Sequence, residues 1–335
     1  MEVLVERGAR VESRHRVHAA VCRSDRGKVA TFGDPAASSF WRSALKPFQA
    51  LPIVDDGVAD AFDYGPEHLA VTCASHGGRP EHLARVEHIL AAIGRSPEDL
   101  HCGPHTPYDE EAAQTLACAG HAPGRLHNNC SGKHASMLAL ALHRGWEPEG
   151  YWRFDHPVQA RVRDLLPDYI DASPADLPWE ADGCGIPTVL IPLEAMALAY
   201  ARLADGAAAT GSAPAAVVDA MTRHPDLTSS PGREPLRIMQ ATEGRLLAKE
   251  GGEGVLCIAA VGEDWGMALK VEDGSRRAVG PAAVALLGSC GLLEPAEAAA
   301  LLDLAEPPIL DTLGCAAGRI HAVAGRAADA MDRRA

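Results

Sequence analysis

Apolar and polar positions along the chain switch between two periods. Near the front, "VHAAVCRSDRGKVATFGD" is a pair of short apolar runs around an Asp-Arg-Gly turn, which predicts a β-hairpin. Near the back, "EGVLCIAAVGEDWGMALKVEDG" predicts a second hairpin, and "GRIHAVAG" one more strand. Between them the period lengthens. "RPEHLARVEHILAAIG" places Leu83, Val86, Ile89 and Leu90 on one helical face, with Pro80 at its start and Gly94 at its end. "SGKHASMLALALHRG", "HPVQARVRDLLPDYI", "PLEAMALAYARLADG" and "GPAAVALLGSCG" also read as helices. "GAAATGSAPAA" (206–216) reads as a loop, and "ADAMDRRA" at the C-terminus as a frayed tail.

Strands therefore gather at both ends of the chain and helices in its middle. If the terminal hairpins pair, they form one antiparallel sheet on which the helices pack. That is an α/β (α+β) fold with segregated elements and not a βαβ repeat. With no repeat and no low-complexity linker, the expectation is one catalytic-sized domain over residues 1–330, with 43–250 supplying most of the helices and 331–335 frayed.

Composition narrows the function. The 335 residues are 47% hydrophobic, which is enough for a large core. A formal charge of −14, with no basic stripe, argues against a nucleic-acid partner. "MEVLVERGARVESRHR" is charged and lacks a long apolar run, so neither a signal peptide nor a membrane span is expected there. Nine scattered cysteines, an odd number in a long chain, fit reduced thiols in a cytoplasm better than a disulfide framework.

Five stretches carry candidate chemistry. "NNCSGKHAS" (128–136) is not a phosphate loop: His127 stands where that motif needs glycine, and His134 where it needs Ser or Thr. If a helix begins at Ser131, Lys133 and His134 return to the Cys130 side. "ADGCGIP" adds Cys184 between two glycines, two residues after Asp182. Thiolates favour zinc over magnesium or calcium; buried small cysteines are the bland alternative. "RSALKPFQA" sets Ser43 and Lys46 at i, i+3 around a helix start marked by Pro47, an S-x-x-K pattern of the kind serine β-lactamases and penicillin-binding proteins use. A solvated lysine and a capping serine are the bland alternative here. "CASHGGRPEH" adds Ser75 in a Gly-rich turn, and "AKEGGEGV" adds Lys249 in a Lys-x-Gly entry to a strand.

The stretches "SALKPFQA", "CASHGG", "NNCSGKHASML", "DHPVQ", "DGCGIP" and "AKEGGEGV", in that order over residues 40–260, resemble the L-asparaginase II family of the rhizobial, thermolabile type. "VESRHRVHAAV" fits as well, whereas "SSPGREPLRIMQATEG" (229–244) and the last 45 residues are only loosely similar. The resemblance implies a fold like the serine β-lactamases and S-x-x-K glutaminases. It implies hydrolysis of L-asparagine to L-aspartate and ammonia by two Ser–Lys pairs: Ser43 with Lys46, and Ser75 with Lys249, for which Lys270 is the rival. Either serine can attack while the other relays a proton. It further implies one zinc ion on Cys130, Lys133 and Cys184, either catalytic or structural. Asp182, His134, Asn129, Arg42 and Gly132 would stand around substrate and metal, and a homodimer is implied. A glutaminase or β-lactamase-like hydrolase would share the serine chemistry; a non-catalytic zinc-stabilised protein would need neither serine.

Overall fold

The computed structural model describes residues 1–34 and 36–323; the expected tail at 331–335 lies outside them. The chain divides into two compact units. One comprises residues 1–44, 190–205 and 237 onward, and the other 45–189 and 206–236. The strands among the described residues are β1 (Glu2–Arg7), β2 (Arg10–Arg23), β3 (Lys28–Phe32), β4 (Ser38–Phe40), β5 (Trp179–Ala181), β6 (Pro187–Pro192), β7 (Leu246–Glu250), β8 (Val255–Ala260), β9 (Trp265–Val271), β10 (Pro308–Leu310) and β11 (Ala316–Val323).

The first unit is built on an antiparallel sheet in the order β10-β11-β1-β2-β9-β8-β7, with β3 paired to β2. The protein is thus a mixed α/β fold whose sheet draws its strands from both ends of the chain. β1 runs antiparallel to β11 with Glu2 opposite Val323. β1 alternates: Val3 and Val5 are buried while Glu2 is exposed. That is the pattern of a strand with one wet face. β7 and β8 are buried at every position, so this part of the sheet is covered on both faces. The helix Leu193–Gly206 lies against β9 at Gly266, where a Cβ would come within 2.4 Å of the Ala197 carbonyl oxygen. The helix Val279–Ser289 packs on β1, β8, β9 and β11. Among the strands that the sequence did not signal, β1 and β7 were missed for opposite reasons. β1 presents charges outward, and β7 hides two of them, Lys249 and Glu250, inside.

The second unit is helical. Its centre is the helix Ser131–His143, buried at every position from Ser131 to Ala141. A helix apolar all round belongs in a core. It packs on the helices Lys46–Asp55, Pro66–Thr72, Pro80–Ala92 and Pro157–Leu165. Ile53, Val71, Ile89, Leu90, Met137 and Leu138 are part of the shared core. "GPEHLA" and "RPEHLA" open two of these helices in the same way. Proline takes the first helical position, and the Nδ1 atoms of His68 and His82 accept the N–H groups of Gly65 and Arg79 at 3.0 and 3.2 Å. The segment 206–216 is shorter as a loop than its composition implies. Ser212 caps a helix Ala213–Arg223 by accepting the Ala215 N–H, with Pro214 in the first turn.

Candidate active site and metal-ligating cluster

The Gly-rich turn of Ser75 is held from both sides within the helical unit. The Ser75 N–H donates to the Thr228 carbonyl at 3.1 Å, and the His76 N–H to the Asn129 carbonyl at 3.2 Å. His76 is fully enclosed, and burial, with His82 and Lys46 nearby, holds its imidazole well below the usual histidine range. The Gly78 N–H donates to His76 Nδ1 at 3.1 Å, so the ring proton sits on Nε2. Nε2–H then donates to Ser131 Oγ at 2.9 Å, and that hydroxyl donates to the Leu126 carbonyl at 2.9 Å. One neutral histidine thereby ties the Ser75 turn to the first residue of the Ser131 helix.

Lys46, in the first turn of its helix, is entirely buried. Its Nζ donates to the Ala74 carbonyl at 2.5 Å and to Ser75 Oγ at 3.1 Å. The helical unit therefore brings Lys46 to Ser75, a partner 29 residues on. Ser43 is half-buried in the 3-10 turn Arg42–Leu45 and belongs, with Arg42, to the sheet unit. Arg42 has φ of 54°, a left-handed conformation that non-glycine residues rarely adopt and that often marks functional turns. Lys249 and Lys270 also belong to the sheet unit. Lys249 is fully buried on β7, with Nζ 3.1 Å from a carboxylate oxygen of Glu250. Lys270, on β9, is half-buried and donates to the Val271 and Glu272 carbonyls, and burial lowers its pKa.

Two glycines shape the cysteine cluster. At Gly132 a Cβ would come within 2.3 Å of the Val71 carbonyl oxygen, so only glycine lets the Ser131 helix start so close to the helix that leads into the Ser75 turn. At Gly185, φ is +89° and a Cβ would strike the His101 ring at 2.8 Å. Here glycine lets the loop from Asp182 to Ile186 fold over His101, itself stacked on Trp152. The loop brings Cys184 to the Ser131 helix, and Lys133 Nζ lies 3.2 Å from Cys184 Sγ. Cys130 stands at the N-cap position of that helix without a side-chain capping bond; its Sγ lies 3.1 Å from Asn129 Oδ1, and Asn128 Oδ1 accepts its backbone N–H.

The charges here are coupled. A hydrogen bond from Cys130 holds the Cys184 thiol well below the usual range, against burial and with help from Lys133. The same bond pushes Cys130 up. Burial opposes the charge of Lys133, but Cys184, Cys130 and Asp182 together outweigh it and push its pKa up. Cys102 is a third thiol in the same field, pushed up to about 12 by burial and by Cys130 and Cys184. It sits 28 residues before Cys130, and no spacing in the sequence signalled it.

His134 is enclosed behind this cluster. Tyr151 Oη accepts the His101 N–H at 2.8 Å and lies 2.7 Å from His134 Nδ1. His134 Nε2 is enclosed and meets no hydrogen-bond partner among the described residues. Burial holds the ring well below the usual histidine range. A buried ring nitrogen without a partner is rare.

Residues 3–322 match the model of the L-asparaginase II family. The chain belongs to the L-asparaginase II family. That membership supports amidohydrolase chemistry. A comparison with curated proteins finds no match. Among solved structures, "Crystal Structure Analysis of Mglu" is 18% identical, with a TM-score of 0.36 over 83% of this chain and 67% of that one. "Crystal Structure Analysis of Mglu in its native form" is also 18% identical, with a TM-score of 0.35 over 84% and 66%. Against "Crystal Structure Analysis of Mglu in its tris and glutamate form", at 19% identity and a TM-score of 0.35, this chain covers 83% of its own length and 59% of the other. The chain thus spans about two thirds or less of these neighbours. Among the described residues no helix is long and apolar enough to cross a membrane.

The resemblance implies a zinc ion, and the donors present bear on whether one fits. No group of three His, Cys, Asp or Glu residues able to hold a metal occurs among the described residues. Cys130, Cys184 and Lys133 nevertheless converge, and two thiolates with one neutral amine are donors that zinc accepts. Three protein donors leave a fourth position open. The residues fit a zinc ion if Lys133 gives up its proton to bind it.

Proposed function

We propose that the protein is an L-asparaginase that hydrolyses L-asparagine to L-aspartate and ammonia. The observation that carries the reading is the enclosed Lys46–Ser75 hydrogen bond within a chain of this family. In this mechanism Lys46, as a neutral amine, takes the Ser75 Oγ proton while Oγ attacks the side-chain amide carbon. The amide nitrogen then leaves as ammonia after receiving a proton, which Ser43 relays, and a serine ester of aspartate remains. Water cleaves the ester, the serine regains its proton, and aspartate departs. The N–H groups of Ser75 and His76 are already committed to carbonyls, so the oxyanion needs other donors. The buried Glu250 suits Lys249 to the role of a fixed cation.

Zinc bound at Cys130, Lys133 and Cys184 would supply positive charge that orients substrate beside Ser75. We also propose a homodimer, and a cytoplasmic location, which nine free cysteines support.

Ammonia release from asparagine, glutamine and a β-lactam, with peptide mass mapping of a trapped acyl-enzyme, tests the reading. Turnover of asparagine with the adduct on Ser75 is expected. An adduct on Ser43 would exchange the two serines, and activity confined to glutamine or the β-lactam would replace the substrate. Elemental analysis should find one zinc per chain in the wild type and none in Cys130→Ala/Cys184→Ala.

A further inference from the structure

The segment that follows Thr228 runs against the Ser75 turn. After Thr228, whose carbonyl holds the Ser75 N–H, the chain passes through Ser229 and Ser230 into the turn Ser230–Arg233. The Arg233 N–H closes this turn on the Ser230 carbonyl at 3.1 Å, with Pro231 second and Gly232 third at φ of +75°. Proline at the second position and a positive-φ glycine at the third are what a type II turn requires. The turn fixes Ser230 against Gly77: a Cβ on that glycine would lie 2.6 Å from Ser230 Oγ. Ser229 is fully buried and Ser230 is 2% exposed, yet neither hydroxyl has a hydrogen-bond partner among the described residues. A tight turn that sets the enclosed Ser230 hydroxyl against the loop two residues from Ser75, with the unpartnered Ser229 hydroxyl next to it in the chain, leaves a donor for something that arrives.

We propose that Ser230, with Ser229 beside it, binds the α-carboxylate of the amino-acid substrate. The inference rests on Ser75 lying at the amide carbon, as in the function proposed above. The α-carboxylate of asparagine is three bonds from that carbon, within reach of the segment flanking the Ser75 turn. Arg233, whose backbone N–H closes the same turn, carries a guanidinium that lies 5.1 Å from the Tyr108 ring centroid, and a cation three residues from Ser230 favours a carboxylate over an ammonium.

The test compares asparagine with succinamate, which lacks the α-amino group, and 3-aminopropanamide, which lacks the α-carboxylate. A hydrogen bond to a charged group carries roughly a tenfold or greater effect. Ser230→Ala should raise KM for asparagine and succinamate about tenfold or more, keep kcat within about twofold, and leave KM for 3-aminopropanamide unchanged. Ser230→Cys, which keeps the volume but donates weakly, should behave the same way without a cavity. An unchanged KM for asparagine, or an equal rise for all three amides, overturns the inference and leaves the asparaginase reading standing. If the wild type hydrolyses none of the amides, that reading fails by itself. Calorimetric titration of L-aspartate then judges the inference: weaker binding to Ser230→Ala than to wild type supports it, and equal or absent binding overturns it.

Discussion

Two regions of this protein each bury a lysine completely, and they handle the charge in opposite ways. On the sheet, Lys249 faces the carboxylate of Glu250 on the same strand, so its ammonium is matched where it sits. In the helical unit, Lys46 donates to a carbonyl and a serine hydroxyl, both neutral. Taking a charge out of water is costly unless an opposite charge replaces the solvent. The carboxylate makes Lys249 a stable cation. The neutral partners of Lys46 place an amine where proton exchange with Ser75 is the available chemistry. Lys133 is intermediate: its partner is a thiolate that can exchange the lysine proton for a metal.

The comparison is tested most severely by arginine, which keeps the charge but cannot act as a base. Lys46→Arg should lower kcat on asparagine by roughly 10²–10⁴-fold, the range of a lost general base, with kcat the parameter to measure. Lys249→Arg should cost much less, because it preserves the ion pair. Equal losses in both variants would show that Lys46, too, serves only as a cation.

Stability gives the converse test. Removing one partner of a buried pair strands the other, at a cost of roughly 3–5 kcal/mol. Lys249→Met alone and Glu250→Leu alone should each unfold at clearly lower denaturant than wild type, and the double variant should recover part of the loss. Lys46→Met strands no charge and should unfold closer to wild type than Lys249→Met. If the two lysine variants prove equally destabilised, the difference between the regions is one of packing and not of charge.

The same contrast explains how much could be read from the sequence. The hairpins β2–β3 and β8–β9 and the helix at Ser131 were legible because each carries its period locally. β7 was not, because its buried Lys249 and Glu250 look polar and are apolar in context only as a pair. Cys130, Lys133 and Cys184 could be gathered through motifs, each anchored by a glycine or a helix start. The meeting of Lys46 with Ser75 was beyond spacing rules, which pair a residue with neighbours three or four positions away. It depends on one helix crossing a turn 29 residues on. Nor could a sequence reveal the tautomer of His76, which is set by the Gly78 N–H that reaches Nδ1.

His76 provides the smallest and most specific test. Its pKa, and that of the stacked His82, lie below the ordinary value because burial disfavours the charged ring. In the unfolded chain both imidazoles titrate near 6.5. Below that pH the unfolded state takes up protons that the folded state refuses, so stability is fully present above about pH 6.5 and declines as the pH falls. Melting temperature measured from pH 7.5 to 5.5 should therefore drop, and His76→Gln should flatten the decline while starting lower at pH 7.5. Lys46 sharpens the point, since it lies close enough to bear on His76 when it is charged. If Lys46 is an ammonium, Lys46→Met should ease protonation of His76 and flatten the same decline; if the amine is neutral, the slope should stay as it is in wild type. The slope thus reads the state of Lys46 without recourse to catalysis, and it separates a poised base from a second buried cation.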